Sequence, residues 1–193
     1  MPSKQRKEDS QEVTPGSCSG WKVPERVAIL ETIKDGGTNS GDRTMPIVWR
    51  EQLSVHNDII DQDHKYLICL INSVELVLKH EDTIEYLPML VDQLIDYTRI
   101  HFEREEKIQK KALFPLVSEH KRQHAEILEK LSELKTLANE YVEHLKNGQF
   151  DQDEDNVVTC KIMELARRWI VEHLVQEDKR MEYYLQKLPR SFS

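Results

Sequence analysis

The sequence predicts an all-α fold, an up-down-up-down four-helix bundle with a disordered N-terminal extension. Three observations predict it. From Trp49 onward, apolar residues recur at spacings of three and four, the period of an amphipathic helix. Short alternating runs bounded by turn residues, which would mark strands, are absent. The periodic stretches number four, each of about 20 to 32 residues, and short breakers between them favour antiparallel neighbours.

Residues 1–44 carry Pro2, Pro15 and Pro24 and five of the six glycines, Gly16, Gly20, Gly36, Gly37 and Gly41. Such a segment buries too little apolar surface to offset its ordering entropy. It is expected to be disordered or weakly structured, with one weak helix over Pro24–Lys34, and residues 45–190 are expected to form the bundle. Trp49 to Ile60 is an ordered lead-in that packs against one end. The first helix is expected over Ile59–Lys79, with Leu67, Ile71, Val74 and Leu78 on its apolar face. Asp82 and Thr83 are candidate caps for the second, Ile84–Ala112, whose stripe is Leu87, Leu90, Leu94, Tyr97 and Ile108. Pro88 is early enough there to be tolerated. Phe114-Pro115 breaks the chain. The third helix, Leu116–Lys146, carries Ile127, Leu128, Leu131, Leu134, Leu137 and Tyr141. Gly148 and the acidic run Asp151–Asp155 read as a loop. The fourth helix is expected over Asn156–Lys187, with Ile162, Leu165, Ala166, Trp169 and Ile170 facing inward.

The chain has 193 residues and a net charge of −8, enough for one domain and a tail. The acidity excludes nucleic acid as the main partner, because phosphate binding needs a basic face. The longest apolar run, Leu67 to Leu78, is interrupted by Asn72, Ser73 and Glu75, so no membrane span is expected. The N-terminus has no apolar core for a secretory signal, and a cytoplasmic location is the expectation. Cys18, Cys69 and Cys160 form no CxxC-like cluster and read as reduced thiols, the last two in or near the core.

Five histidines and two carboxylates stand at spacings that suit a metal site: His64, His101 with Glu105, His120 with His124, and His173 followed by Asp178. Residues i and i+4 differ by about 40° round a helix, so each i,i+4 pair can reach one point. Both pairs continue the apolar stripes of their helices and therefore point into the core. An unpaired imidazole or carboxylate there is costly, and metal coordination removes that cost. His173 and Asp178 are about 140° apart on an ideal helix. They either approach a metal from two sides or meet through a local widening of the helix. Two octahedral ions offer about twelve positions, and this set with one bridging solvent oxygen fills about eleven, leaving one for a small molecule. His56, His80 and His144 read as solvated, and Glu103 and Glu106 as exposed or in contact with ligands only.

The matching elements IIDQDH ending at His64, HFEREE (His101 to Glu106), FPLVSEHKRQH (Phe114 to His124) and WIVEHLVQEDK (Trp169 to Lys179) resemble hemerythrins. The likeness is to bacteriohemerythrin and to hemerythrin-like domains of sensors, and it runs from Trp49 to about Leu188. It implies two iron ions in a nonheme, oxo- or hydroxo-bridged di-iron centre. His120, His124 and His173 would hold one iron, His64 and His101 the other, and Glu105 and Asp178 would bridge. The implied function is reversible dioxygen binding for carriage, storage or delivery, with Trp169, Ile170 and Gln109 near the oxygen pocket. An oxygen- or redox-sensing domain is the alternative. Turnover is not expected, because the Glu-x-x-His repeats of oxygen-activating bundles are missing. Three positions depart from the usual pattern. Asp63 puts a second acid beside His64, Gln109 stands where methionine is common, and Leu113 replaces a frequent glycine, which predicts a looser helix end.

Overall fold

The computed structural model describes residues 46–149 and 151–193; the expected N-terminal tail, with Pro24–Lys34 and Cys18, lies outside the described residues. Four long helices dominate: α1 (Asp58–Leu78), α2 (Leu87–Lys111), α3 (Val117–Lys146) and α4 (Gln152–Gln176). Each packs against the next and α4 packs against α1, which closes the expected ring. No strand occurs among the described residues.

The helix boundaries follow from local chemistry. Asn57 starts α1 by accepting hydrogen bonds from the Ile59 and Ile60 amides. α4 begins earlier than expected because Asp151 accepts from the Asp153 and Glu154 amides, while the Asp151 amide donates to Asp155 Oδ2 (3.2 Å). The acidic run is therefore a first turn rather than a loop, and its carboxylates suit the positive end of the helix dipole. Asp82 and Thr83 do not cap α2. A 3-10 helix over Glu81–Tyr86 leads into it instead, and Pro88 occupies the first turn, where no amide donor is needed. α4 stops at Gln176 rather than Lys187: the chain tightens into a 3-10 turn at Asp178–Met181, then a short helical turn at Glu182–Leu185.

The main core joins Leu67, Ile71 and Val74 of α1, Leu87, Val91 and Leu94 of α2, Leu131 and Leu134 of α3, and Ile162 and Ala166 of α4. A second cluster, Val55, Ile60, Ile108, Phe114, Met181 and Leu185, closes one end. The lead-in supplies Val55 to that end, while Ile47 and Leu53 join the main core. Asn72 pins the lead-in by bonding both the amide and the carbonyl of Ile47 (2.9 and 2.8 Å). Cys69 is exposed rather than near the core, and Cys160 is half-buried.

Leu113 does not loosen the end of α2. It adopts φ 56°, and the chain closes with the Phe114 amide on Gln109 O (3.0 Å) and the Leu113 amide on Lys110 O (3.3 Å). That double bond pattern is the usual glycine-terminated helix end. Gly148 makes the same turn after α3 at φ 70°. A leucine in the left-handed region is strained, and this side chain is 83% exposed, so its burial repays little. Leu113→Gly is expected to raise stability by about 1 kcal/mol, seen as a higher urea midpoint with an unchanged m-value. An equal or lower midpoint would show that the turn is unstrained.

Candidate metal centre

Between the two apolar clusters lies a layer of buried polar groups. In α1 His64 falls between Ile60 and Leu67, in α2 His101 and Glu105 between Leu94 and Ile108, and in α3 His120 and His124 between Phe114, just ahead of the helix, and Ile127. His173 lies near the end of α4, and Asp178 opens the 3-10 turn after it. Antiparallel packing brings these stretches to one level, and all seven residues are buried.

Every expected metal-site residue arrives at the same place. His120 Nε2 lies 3.2 Å from Glu105 Oε1 and 3.0 Å from Asp178 Oδ1. His124 Nε2 lies 3.2 Å from Glu105 Oε2, and His173 Nε2 lies 3.1 Å from Asp178 Oδ1. On the other side, His64 Nε2 is 3.2 Å from Asp178 Oδ2 and His101 Nε2 is 3.5 Å from Glu105 Oε2. Two groups emerge, each with candidate ligand atoms within 4.8 Å of one another: Glu105, His120, His124, His173 and Asp178; and His64, His101 and Asp178. Asp178 belongs to both.

The His173–Asp178 geometry resolves differently from either sequence expectation. The α-helix ends between the two residues, and the tighter 3-10 turn swings the carboxylate onto the imidazole. Gln109 does point inward, donating from Nε2 to Glu105 Oε1 (3.1 Å) and lying 3.0 Å from Met181 Sδ. It therefore steadies a carboxylate of the site from the end-cluster side.

The donor set fits metal ions. His64 Nε2, His124 Nε2, Glu105 Oε2 and both Asp178 oxygens are buried without a hydrogen-bond partner, although they crowd one another. Groups that converge without sharing protons make sense as ligands of a common cation, since a buried polar atom left unpaired is costly. Imidazole with carboxylate is also the donor chemistry that suits iron. Without a metal, the cluster holds itself by charge. Burial opposes ionisation of Asp178, yet the imidazoles of His173, His120 and His64 hold its carboxyl well below the usual carboxylate range. Burial and the Asp178 charge likewise push Glu105 up, but His120, His124 and His101 bring it down to about 2. Burial pulls His120 down, and Asp178 with Glu105 overcomes it, raising that imidazole to about 10.

Residues 55–185 match the hemerythrin HHE cation-binding domain. The chain belongs to the hemerythrin family. Relatives include the bacteriohemerythrin of Stenotrophomonas maltophilia, 24% identical over 133 residues, covering 69% of this chain and 77% of that protein. That of Clostridium acetobutylicum is 24% identical over 135 residues, covering 68% of this chain and 95% of its own. That of Campylobacter jejuni is 22% identical over 139 residues, covering 72% and 95%. No solved structure matches significantly.

Beside this hemerythrin-type cluster lies a small, mostly apolar cavity lined by Leu67, Thr98, His101, Phe102, Ile127, His173, Leu174 and Asp178. It touches candidate ligands of both groups. The side chains of Trp169 and Ile170, expected near an oxygen pocket, lie outside the described residues. Phe102 was not singled out by the sequence reading. Its ring stacks on His124 with centroids 3.7 Å apart and planes 4° apart, fixing that imidazole. The signal was present: Thr98 and Phe102 flank His101 on the face of α2 that faces inward. Of the histidines read as solvated, His80 is exposed and His144 half-buried, while half-buried His56 lies 3.7 Å from Glu182. Glu103 is exposed, and Glu106 Oε1 lies 3.3 Å from His124 Nδ1. No helix among the described residues is long and apolar enough to cross a membrane.

Proposed function

We propose that this chain binds dioxygen reversibly at a nonheme di-iron centre, for carriage, storage or delivery rather than turnover. His120, His124 and His173 would hold one iron and His64 and His101 the other, with Glu105 and Asp178 shared. The observation that carries the reading is a buried set of five imidazoles and two carboxylates arranged as two groups meeting at Asp178. Bound there, two ferrous ions would supply electrons to dioxygen and recover them on its release. The chain's own part is positional. Each imidazole presents Nε2 to the centre, and the carboxylate oxygens of Glu105 and Asp178 face imidazoles from both groups. Gln109 holds Glu105 in orientation through its donated hydrogen bond. Leu67, Phe102, Ile127 and Leu174 line the cavity beside the ligands and keep water scarce there, which favours a small apolar guest.

The test joins iron quantitation to one pair of spectra. Two irons per chain are expected, and anaerobic ferrous protein exposed to air should gain a visible charge-transfer band that fades on deoxygenation. An irreversible change, or steady consumption of oxygen, would replace binding with turnover. Iron should also protect the fold, because ligand bound only by the native state stabilises it by mass action.

A further inference from the structure

Next to the His64–His101 side of the centre stands a carboxylate that the ligand set leaves unused. Asp63 is 2% exposed, and its two oxygens have different fates. Oδ1 accepts a hydrogen bond from the Tyr97 hydroxyl (2.7 Å) and another from the Arg104 guanidinium (2.6 Å). Oδ2 has no hydrogen-bond partner and lies 3.5 Å from His101 Nδ1, which is itself buried without one. An orphaned acceptor thus faces an orphaned ring nitrogen across a gap that a small tightening would close.

The clamp is built from α2. Tyr97, His101 and Arg104 follow one another at intervals of four and three residues, so they share one side of that helix. The Arg104 guanidinium also lies 6.0 Å from the centre of the Tyr97 ring. Tyr97 and Arg104 together fix Oδ1, and with it the direction of Oδ2. His64, the partner of His101 in its group, has no such support: its Nδ1 is buried and unpaired. On the opposite group, His124 Nδ1 faces Glu106, which is tied to Lys121 on the surface (3.3 Å). One imidazole of each group therefore has a carboxylate behind it.

We propose that Asp63 is a positioning residue that accepts the Nδ1 proton of His101, fixing the tautomer whose Nε2 is free to bind iron and strengthening it as a donor. A histidine ligand backed by a carboxylate holds metal more tightly, and losing such an outer contact weakens binding by about 10–100-fold. Because the acceptor is charged and buried, that hydrogen bond is also about twice as strong as one to a neutral carbonyl oxygen.

This inference rests on the di-iron reading above, and the experiment separates the two. Stepwise ferrous-iron affinity is measured on iron-free full chain by competition with a chromogenic chelator, for the wild type, Asp63→Asn and Tyr97→Phe. The reduction potential of the loaded proteins is recorded beside it. A wild type that takes up no iron overturns the di-iron reading itself. With two irons in the wild type, Asp63→Asn is expected to weaken the weaker of the two steps by about 10-fold or more and to raise the potential. Tyr97→Phe, which keeps the carboxylate but removes one clamp, should move both readouts the same way by a few-fold. Asp63→Glu should recover part of the loss. A residue that only stabilises the fold would lower the unfolding midpoint and leave both readouts alone. The inference is overturned if Asp63→Asn keeps both affinities within twofold at an unchanged potential, or if both steps weaken equally.

Discussion

Asp178→Asn is expected to abolish the pair of irons, leaving at most one weakly held ion and no reversible colour change. The carboxylate is the point at which the two groups of candidate ligands meet, lying within 3.2 Å of His64, His120 and His173. An amide of the same shape keeps the packing but removes the charge and one donor oxygen. The loss should exceed the about 10–100-fold that follows removal of a mere outer contact. His80→Ala is the control, because that imidazole is exposed, and it should leave iron uptake unchanged. If Asp178→Asn bound two irons as tightly as the wild type, the ligand assignment would fail.

The same cluster predicts how the iron-free protein responds to pH. Asp178 and Glu105 have folded values below their usual 3.8 and 4.5, so their stabilisation is present above those values. It is lost as the pH falls through them, Glu105 titrating at about 2 in the folded chain. His120 runs the other way. Its folded value of about 10 exceeds the usual 6.5, so its contribution is full below 6.5 and declines as the pH rises toward 10. Burial lowers the His101 imidazole, so the unfolded chain takes up a proton there first as the pH drops below 6.5; iron-free protein should therefore be most stable near pH 6.5 and weaken on both sides. In Asp178→Asn the alkaline decline should start from a lower plateau, because His120 loses one of the two carboxylates that charge it. Thermal midpoints on either side of the optimum check both slopes.

The helices and the seven candidate ligands were legible because both depend on periodicity. A polar residue continuing an apolar stripe must point inward, and His101, Glu105, His120 and His124 satisfy that rule directly. His173 and Asp178 were harder, since their spacing defeats a single helix. Only the switch from α4 to a 3-10 turn makes them neighbours, and helix ends depend on tertiary contacts more than on pattern. The acidic start of α4 was misread for a simpler reason: Asp151 and Asp155 form a reciprocal cap, which resembles a polar loop when only composition is weighed.

Outer contacts were the least legible part. Asp63 stood out as an odd acid beside His64, yet its target is His101 on another helix. Nothing in a one-dimensional pattern pairs residues 63, 97 and 104, because their meeting depends on the relative rotation of α1 and α2. Phe102 was hidden by its ordinariness, an aromatic on an apolar face that happens to stack on a candidate ligand. Cys69 failed in the opposite direction, a small sulfur residue within a helical pattern that the bundle leaves on its outer face.

Asp61→Ala should destabilise the chain by about 3 kcal/mol although it touches no candidate metal ligand. The carboxylate is 3% exposed and serves three donors: Ser54 Oγ (2.6 Å), the Val55 amide (2.8 Å) and Arg190 (3.4 Å). Ser54 and Val55 are themselves fully buried, so truncation strands an amide and a hydroxyl away from water. Each such orphan costs about 1–3 kcal/mol, more than the net gain from an ordinary hydrogen bond. Asp61→Asn, which can still accept from Val55, should lose less than alanine. A urea midpoint that implies under about 1 kcal/mol for alanine would show that the lead-in relaxes to meet water. The damage should reach the metal centre as well. Lys179 donates to Ser54 O (2.6 Å) and is the next residue after Asp178, so the lead-in braces the turn that carries the shared carboxylate. Slack at Ser54 and Val55 is therefore expected to weaken iron uptake in Asp61→Ala even under conditions where the variant remains fully folded.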